Sequence, residues 1–316
     1  IRCNTCDGFP CRIEAKNDLT TTVLRRGQEC GLEIVAGTIV AELHNHHGKV
    51  EQLVCVGRET GERFTIGAEV VFLGAGALQS PGILQRSNLG LEQQFLGRCL
   101  MRHCNAVASY LFPGPTNPQD LFHKQLCFTD FYEDLRAAHG TAVGIIQDIY
   151  TPAPEILRHF APKGFKRLAA MATRRLQNLL CIAEDEPQLE NMVSLAEKRD
   201  AYGLPLTKIQ HQYSSRDLTR RDYLVRKARQ VLRAAGGLVP FTHAIDSFSH
   251  AVGTLRFGSD ENDSVLDASC RLRGIDNLFV VDGSFMPTSG GVNPSLTIAA
   301  NALRVADIVT TRAAKL

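Results

Sequence analysis

Hydrophobic and polar positions alternate through the first third of the chain and recur at helical spacing in the last. Gly31–Val35, Thr38–Leu43, Lys49–Val56 and Arg63–Ile66 are rich in β-branched residues and separated by Gly, Asn and His turns, which predicts short strands. Ala68–Leu73 is an apolar run interrupted only by Glu69, and is read as a buried strand. After Gly74-Ala75-Gly76, residues Ala77–Gln85 predict a short helix that Pro81 should kink or delimit. Between Pro113 and Pro240 the pieces mix: Ala142–Ile149, Asn191–Leu195 and Thr207–Tyr213 read as strands, and Phe165–Ile182 as helix-like or irregular. Asp217–Ala235 predicts an amphipathic helix with Leu224, Ala228, Val231, Leu232 and Ala235 on one face, solvated Arg and Lys on the other, and Gly236-Gly237 as its stop. From Ile275 the α/β pattern returns as a strand (Leu278–Val281), a loop (Asp282–Gly291) and a helix (Asn293–Thr311). The simplest arrangement is a nucleotide-type α/β domain, split in sequence into residues 1–112 and 241–316, around a middle substrate domain of α+β type with an antiparallel sheet (113–240).

Composition narrows the function classes. The 316 residues are 44% hydrophobic and 22% charged, as expected of a packed globular protein. A formal net charge of +2 gives no reason to invoke nucleic acid or a membrane surface. No stretch approaches the ~20 apolar residues of a membrane span. The ten cysteines, mostly single and scattered, read as buried free thiols of a reducing compartment, which favours the cytoplasm. Cys3, Cys6 and Cys11 are the exception. Their C-x2-C-x4-C spacing could ligate an iron–sulfur cluster, or zinc with a fourth ligand, but the plainer reading is a Cys-rich loop, and no metal is assigned. His44, His46 and His47 read as a polar hairpin turn.

The most informative segment is residues 280–309, VVDGSFMPTSGGVNPSLTIAANALRVADIV. Asn293 can serve as an N-cap and Pro294 as the first helical residue. Leu296, Ala299, Ala300, Leu303, Ala306 and Ile308 supply an apolar stripe. The helix start offers unpaired N–H groups and a partial charge of about +0.5, a good place for a developing anion. Ser289-Gly290-Gly291 lets backbone come close to a flat ring.

The order Asp-x-Ser, Pro-Thr, Asn-Pro and Arg-x-Ala-Asp in that segment resembles the C-terminal signature of the glucose–methanol–choline (GMC) oxidoreductases. The run HAVGTLRFG (250–258), followed by SVLD at 264–267, resembles the family's His-x-x-Gly-Thr-x-Arg-x-Gly stretch, with Phe257 replacing the usual Met. VVFLGAGALQSP (70–81) resembles its second signature, and Leu96–His103 its Gly-x-x-Leu-x-x-His stretch. Arg102 stands where an acidic residue is common, so His103 is assigned no role. The resemblance covers most of the chain, including AYGLPLTKIQHQYS, and is weakest over residues 113–190.

The resemblance implies an FAD-dependent oxidoreductase acting on an alcohol or sugar, with His250 and Asn293 facing the flavin. Hydride removal from a CH–OH group needs a base for the hydroxyl proton, which His supplies, and a donor for the alkoxide oxygen, which an Asn carboxamide supplies. Val40, Ala75, Asp282, Gly283, Asn293 and Pro294 fall at the family's cofactor-binding positions. Relatives also carry a G-x-G-x-x-G loop for the FAD pyrophosphate, and none occurs here. The N-terminal FAD-binding lobe is therefore expected to be missing, and the chain alone to bind FAD poorly and be inactive. A second reading is a non-catalytic remnant or subunit with an electron-transfer site at Cys3, Cys6 and Cys11.

Overall fold

The computed structural model describes residues 11, 13–87, 89–90, 94–119, 124–141, 143–151, 164, 166–247 and 250–313. A short helix α1 (Val23–Glu29) buries no side chain. Gly31–Val35, expected as a strand, is irregular and wholly exposed, and no strand among the described residues pairs with it. An antiparallel meander follows: β1 (Thr38–His46), β2 (Lys49–Gly57) and β3 (Arg63–Gly67). The β1–β2 hairpin pairs His46 with Lys49, leaving His47 and Gly48 as a two-residue turn with φ of 49° and 78°. Positive φ at both positions is what a tight right-twisted hairpin requires.

Strand β4 (Val71–Leu73) pairs in parallel with β12 (Leu278–Val280), so segments about two hundred residues apart in sequence lie side by side. One hydrophobic core draws on both ends of the chain, from Leu43, Val71 and Ile83 to Val252, Leu266, Leu278 and Val305. Helix α2 (Gly76–Arg86) continues past Pro81, which lies inside it. A proline inside a helix leaves the carbonyl four residues earlier without its N–H partner. Here that carbonyl, Ala77 O, accepts from the buried hydroxyl of Thr254 at 2.7 Å.

The second core lies on a five-stranded antiparallel sheet of order β11-β5-β8-β7-β6. Its strands are β5 (Ala106–Leu111), β6 (Cys127–Phe128), β7 (Gly144–Ile149), β8 (Leu176–Ala183) and β11 (Val239–Ala244). The sheet thus reaches outside residues 113–240 at both ends. Helices α3 (Tyr132–His139) and α4 (Lys166–Ala172) lie in its connections. Part of the stretch expected as helix-like, Leu176–Ile182, is the central strand β8, buried without a break from Asn178 to Ala183. A strand covered on both faces carries no alternation that would set it apart from a buried helix.

Helix α5 (Ser215–Ala234) opens with a capping box: Asp217 N donates to Ser214 Oγ, and Ser214 N donates back to the Asp217 carboxylate. It packs Leu224, Val225, Ala228 and Leu232 onto the sheet, but Arg220, expected on the solvated face, is buried with them. Strands β9 (Met192–Arg199) and β10 (Pro205–Gln210) form a ribbon packed against α2. The C-terminal helix α6 (Ser295–Ala313) turns Asn301 and Val305 inward with half-buried Ile298 and Val309, leaving Leu296 82% and Leu303 67% exposed. The buried stripe is therefore rotated from the one expected.

Candidate active site

Two loops leave the carboxyl ends of the adjacent parallel strands β4 and β12, the position at which open α/β sheets hold ligands. Asp282 fastens them together. One carboxylate oxygen accepts from Gly76 N at 2.8 Å and from Ser80 Oγ; the other accepts from Ser284 N at 2.8 Å and from Ser284 Oγ. Ala75 N in turn donates to Ser80 Oγ at 3.1 Å. Ala75 is exposed, whereas Asp282 and Gly283 are buried. The next layer is the segment after His250: Gly253 N, Leu255 N and Phe257 N donate to the carbonyls of Gly283, Ser284 and Phe285. A Cβ on Gly283 would stand 3.1 Å from both Val252 and Ile298, a close approach that makes this segment, the loop and the first turn of α6 tight at that point.

His250 is half-buried, and its Nδ1 lies 2.9 Å from Nδ1 of His103. His103, given no role from sequence, is 1% exposed and sits at φ 63°. Its Nε2 lies 2.7 Å from the carbonyl oxygen of Ser289. The Asp185 carboxylate, after β8, accepts from the backbone N–H groups of both Arg102 and His103 at 2.9 and 3.0 Å, and Nε2 of His211 lies 3.4 Å away. Asp185 N donates to Ser289 Oγ at 3.1 Å. Burial pushes the Asp185 carboxyl up, but the bonds from His211, Arg102 N and Ser289 outweigh it and hold the group below its ordinary value. Asp185 thus sets a carboxylate against the backbone of Arg102-His103. Arg102 itself donates to Tyr213 OH and to the carbonyls of Ile245 and Asp246, just upstream of His250.

Burial lowers the His250 pKa to about 4, helped by His103 and Lys124. That is well below the near-neutral base expected from sequence. The ring is therefore uncharged, and free to accept a proton, at neutral pH. His103 is also lowered, by burial first, against the raising effect of the Ser289 carbonyl and Asp185.

Asn293 is half-buried at the head of α6, two residues past Gly291, and no hydrogen bond joins its side chain to His250. Pro294 is buried, and its carbonyl accepts from Ile298 N at 3.0 Å, so the cap falls one residue later than expected. Gly290 adopts φ 67°, and among the described residues a Cβ there would meet only Met286, at 4.0 Å. Bare backbone therefore fronts open space beside a helix N-terminus, a combination that fits the polar edge of a flavin ring. Val40 lies on β1 beside a bulge, half-buried, and packs on the first core. Cys3 and Cys6 lie outside the described residues. Cys11 is a half-buried free thiol, and among the described residues no group of three His, Cys, Asp or Glu side chains could hold a metal ion.

Two family models, both described as GMC oxidoreductase, match this sequence, an N-terminal one over residues 2–105 and a C-terminal one over 187–302. The chain belongs to the GMC oxidoreductase family. Because the N-terminal model spans residues 2–105, the expectation of a missing N-terminal lobe finds no support. This GMC oxidoreductase is 31% identical to 6'''-hydroxyparomomycin C oxidase of Streptomyces lividus, over 84% of its own length and 49% of the relative's. It is 26% identical to 2-methyl-1,2-propanediol dehydrogenase of Mycolicibacterium austroafricanum, over 89% and 55%. The chain spans about half the length of the curated relatives it matches. Its fold matches pyridoxine 4-oxidase from Mesorbium loti with a TM-score of 0.62 at 22% identity, covering 84% of this chain and 55% of that one. A formate oxidase of Aspergillus oryzae matches with a TM-score of 0.65 at 15% identity, covering 86% and 59%. No helix among the described residues is long and apolar enough to cross a membrane.

Proposed function

We propose that this GMC oxidoreductase oxidises the CH–OH group of an alcohol or sugar with FAD, His250 taking the hydroxyl proton and Asn293 holding the alkoxide oxygen. The observation that carries this reading is a half-buried, uncharged imidazole, held by a second histidine beside the loop that carries Asn293 into α6. FAD, when bound, accepts the hydride. The backbone of Ser289–Gly291 and the start of α6 would meet its ring, and Val40, Ala75, Asp282, Gly283 and Pro294 would line the remainder of the site. Residues 1–112 and 241–316, apart from the sheet strands Ala106–Leu111 and Val239–Ala244, would form the FAD-binding unit, split in sequence, and the five-stranded sheet one wall of the substrate cavity. The names of the relatives favour hydroxylated substrates, a hydroxyparomomycin in one case and a propanediol in the other.

An uncharged His250 can accept a proton at one ring nitrogen while the other stays hydrogen-bonded. The Asn293 amide can donate to an oxygen that gains charge as the proton leaves. The test mixes the chain with excess FAD under argon and follows bleaching of the flavin's visible absorption by alcohols, diols and amino sugars. His250→Ala should slow bleaching by about 10²–10⁴-fold, and Asn293→Ala by about 10²–10³-fold. Bleaching at an undiminished rate in His250→Ala sinks the assignment.

A further inference from the structure

The histidine pair carries more than a contact. A carbonyl oxygen only accepts, so the 2.7 Å bond from His103 Nε2 to Ser289 O places a proton on that nitrogen. His103 is 1% exposed, and burial disfavours a second proton on its ring. A neutral His103 protonated at Nε2 has a bare Nδ1. The 2.9 Å bond between the two Nδ1 atoms then has one possible donor, His250.

We propose that His103 is a positioning residue, which fixes His250 in the tautomer protonated at Nδ1 and leaves Nε2 bare to receive the substrate's proton. The second half of that statement rests on the reading of His250 as the base. When Nε2 takes the hydroxyl proton, the imidazolium keeps Nδ1–H on His103, so no proton has to pass between the rings. The groups facing the pair fit this arrangement. Exposed Lys124 disfavours a charged resting His250, while the Ser289 carbonyl and Asp185 face His103. The His103 backbone is pinned by the Asp185 carboxylate at 3.0 Å. Arg102 pins the carbonyls of Ile245 and Asp246, so the dipeptide Arg102-His103 holds His250 both through its ring and through the chain leading to it.

The experiment labels the full chain with ¹⁵N-histidine and reads ring-nitrogen shifts at neutral pH, with single His→Gln variants at other positions for assignment. The expected result is His103 protonated at Nε2 and His250 at Nδ1. His250 protonated at Nε2 overturns the proposal whatever the activity. In the flavin-bleaching assay, His103→Leu should lower kcat by about 10- to 100-fold with little change in KM, because the group lost touches the base and not the substrate. His103→Asn, whose amide oxygen can stand near the Nδ1 position, should recover most of that loss and return His250 to its Nδ1–H form. A folded His103→Leu with unchanged kcat also overturns the positioning role. If His103→Leu does not fold, the wild-type tautomer and His103→Asn decide. If His250→Ala bleaches flavin normally while wild-type His250 carries Nδ1–H, the base assignment falls and the pairing stands.

Discussion

Gly291 is pressed against Gly144: a Cβ on Gly291 would stand 2.2 Å from Gly144 Cα and 2.9 Å from both Gly144 N and Val143 O. The five-stranded sheet, at the first residue of β7, is thus backbone-to-backbone with the loop that leads to Asn293. Gly144 is equally confined on its other side, where a Cβ would lie 1.9 Å from Ile182 O. Neither chain can retreat without disturbing the sheet. The loop that carries Asn293 is therefore set by the five-stranded sheet as well as by the helix that follows it.

Gly291→Ala should cost about 1–3 kcal/mol, since the overlap is with backbone rather than a movable side chain. Urea unfolding reads that cost. The substitution should also lower kcat for flavin reduction, because relief of the overlap shifts Asn293. Gly114→Ala, where a Cβ would meet nothing, is the control and should stay within about 0.5 kcal/mol of wild type. Equal stabilities of the two variants would show that the contact is looser than described.

Thr254 and Pro81 make a second, sharper case. Thr254→Val removes the donor to Ala77 O and leaves that buried carbonyl unpartnered, at about 1–3 kcal/mol. Pro81→Ala restores the helical N–H that the proline lacks. The double variant should therefore be more stable than Thr254→Val alone, and a double-mutant cycle by urea unfolding should show coupling of about 1 kcal/mol or more. Additive effects would mean that the hydroxyl does not serve the carbonyl.

Asp282 is the clamp between the two strand-end loops. Asp282→Ala strands four donors around a site 8% exposed and should cost about 3 kcal/mol or more. Asp282→Asn keeps one acceptor oxygen and should fall between that and wild type. Thermal unfolding orders the three proteins. A neutral Asp282→Ala would show that the loops hold their positions without the carboxylate.

Much of this was legible in the sequence because it is written locally. Pro294, the Gly290-Gly291 pair and the alternating runs of β1–β3 announce turns, caps and strands from their own residue types. What failed was decided by partners far away along the chain. Leu296 and Leu303 pointed to one face of α6, yet the core formed by β4, β12 and their surroundings took Ile298, Val305 and Val309 instead. His103 was visible within the Gly-x-x-Leu-x-x-His stretch. Its use depends on Ser289 and Asp185, which lie 186 and 82 residues away, and no spacing rule links them. Thr254 was read as part of a signature, and only the three-dimensional structure shows that its hydroxyl serves the carbonyl that Pro81 leaves without an N–H.

The pH response follows from the same pair. His250 titrates at about 4 in the folded chain, against 6.5 for an unperturbed histidine, and His103 is shifted the same way. Between those two values the unfolded chain binds more protons than the folded one, so stability falls as pH drops from 6.5 towards 4 and is flat above. Asp185, held below its usual 3.8, adds a further loss only under more acid conditions. For half-buried His250, solvent screening holds the effect to about 1–3 kcal/mol. Urea midpoints measured from pH 7 to pH 4 should decline in wild type, and His250→Asn should flatten part of that decline. The rate has the same sign: the base is competent while unprotonated, so kcat/KM should hold down to about pH 4 rather than dropping near 6.5. An acid limb at 6.5 would show that the ring is charged far more easily than its burial beside His103 and Lys124 allows.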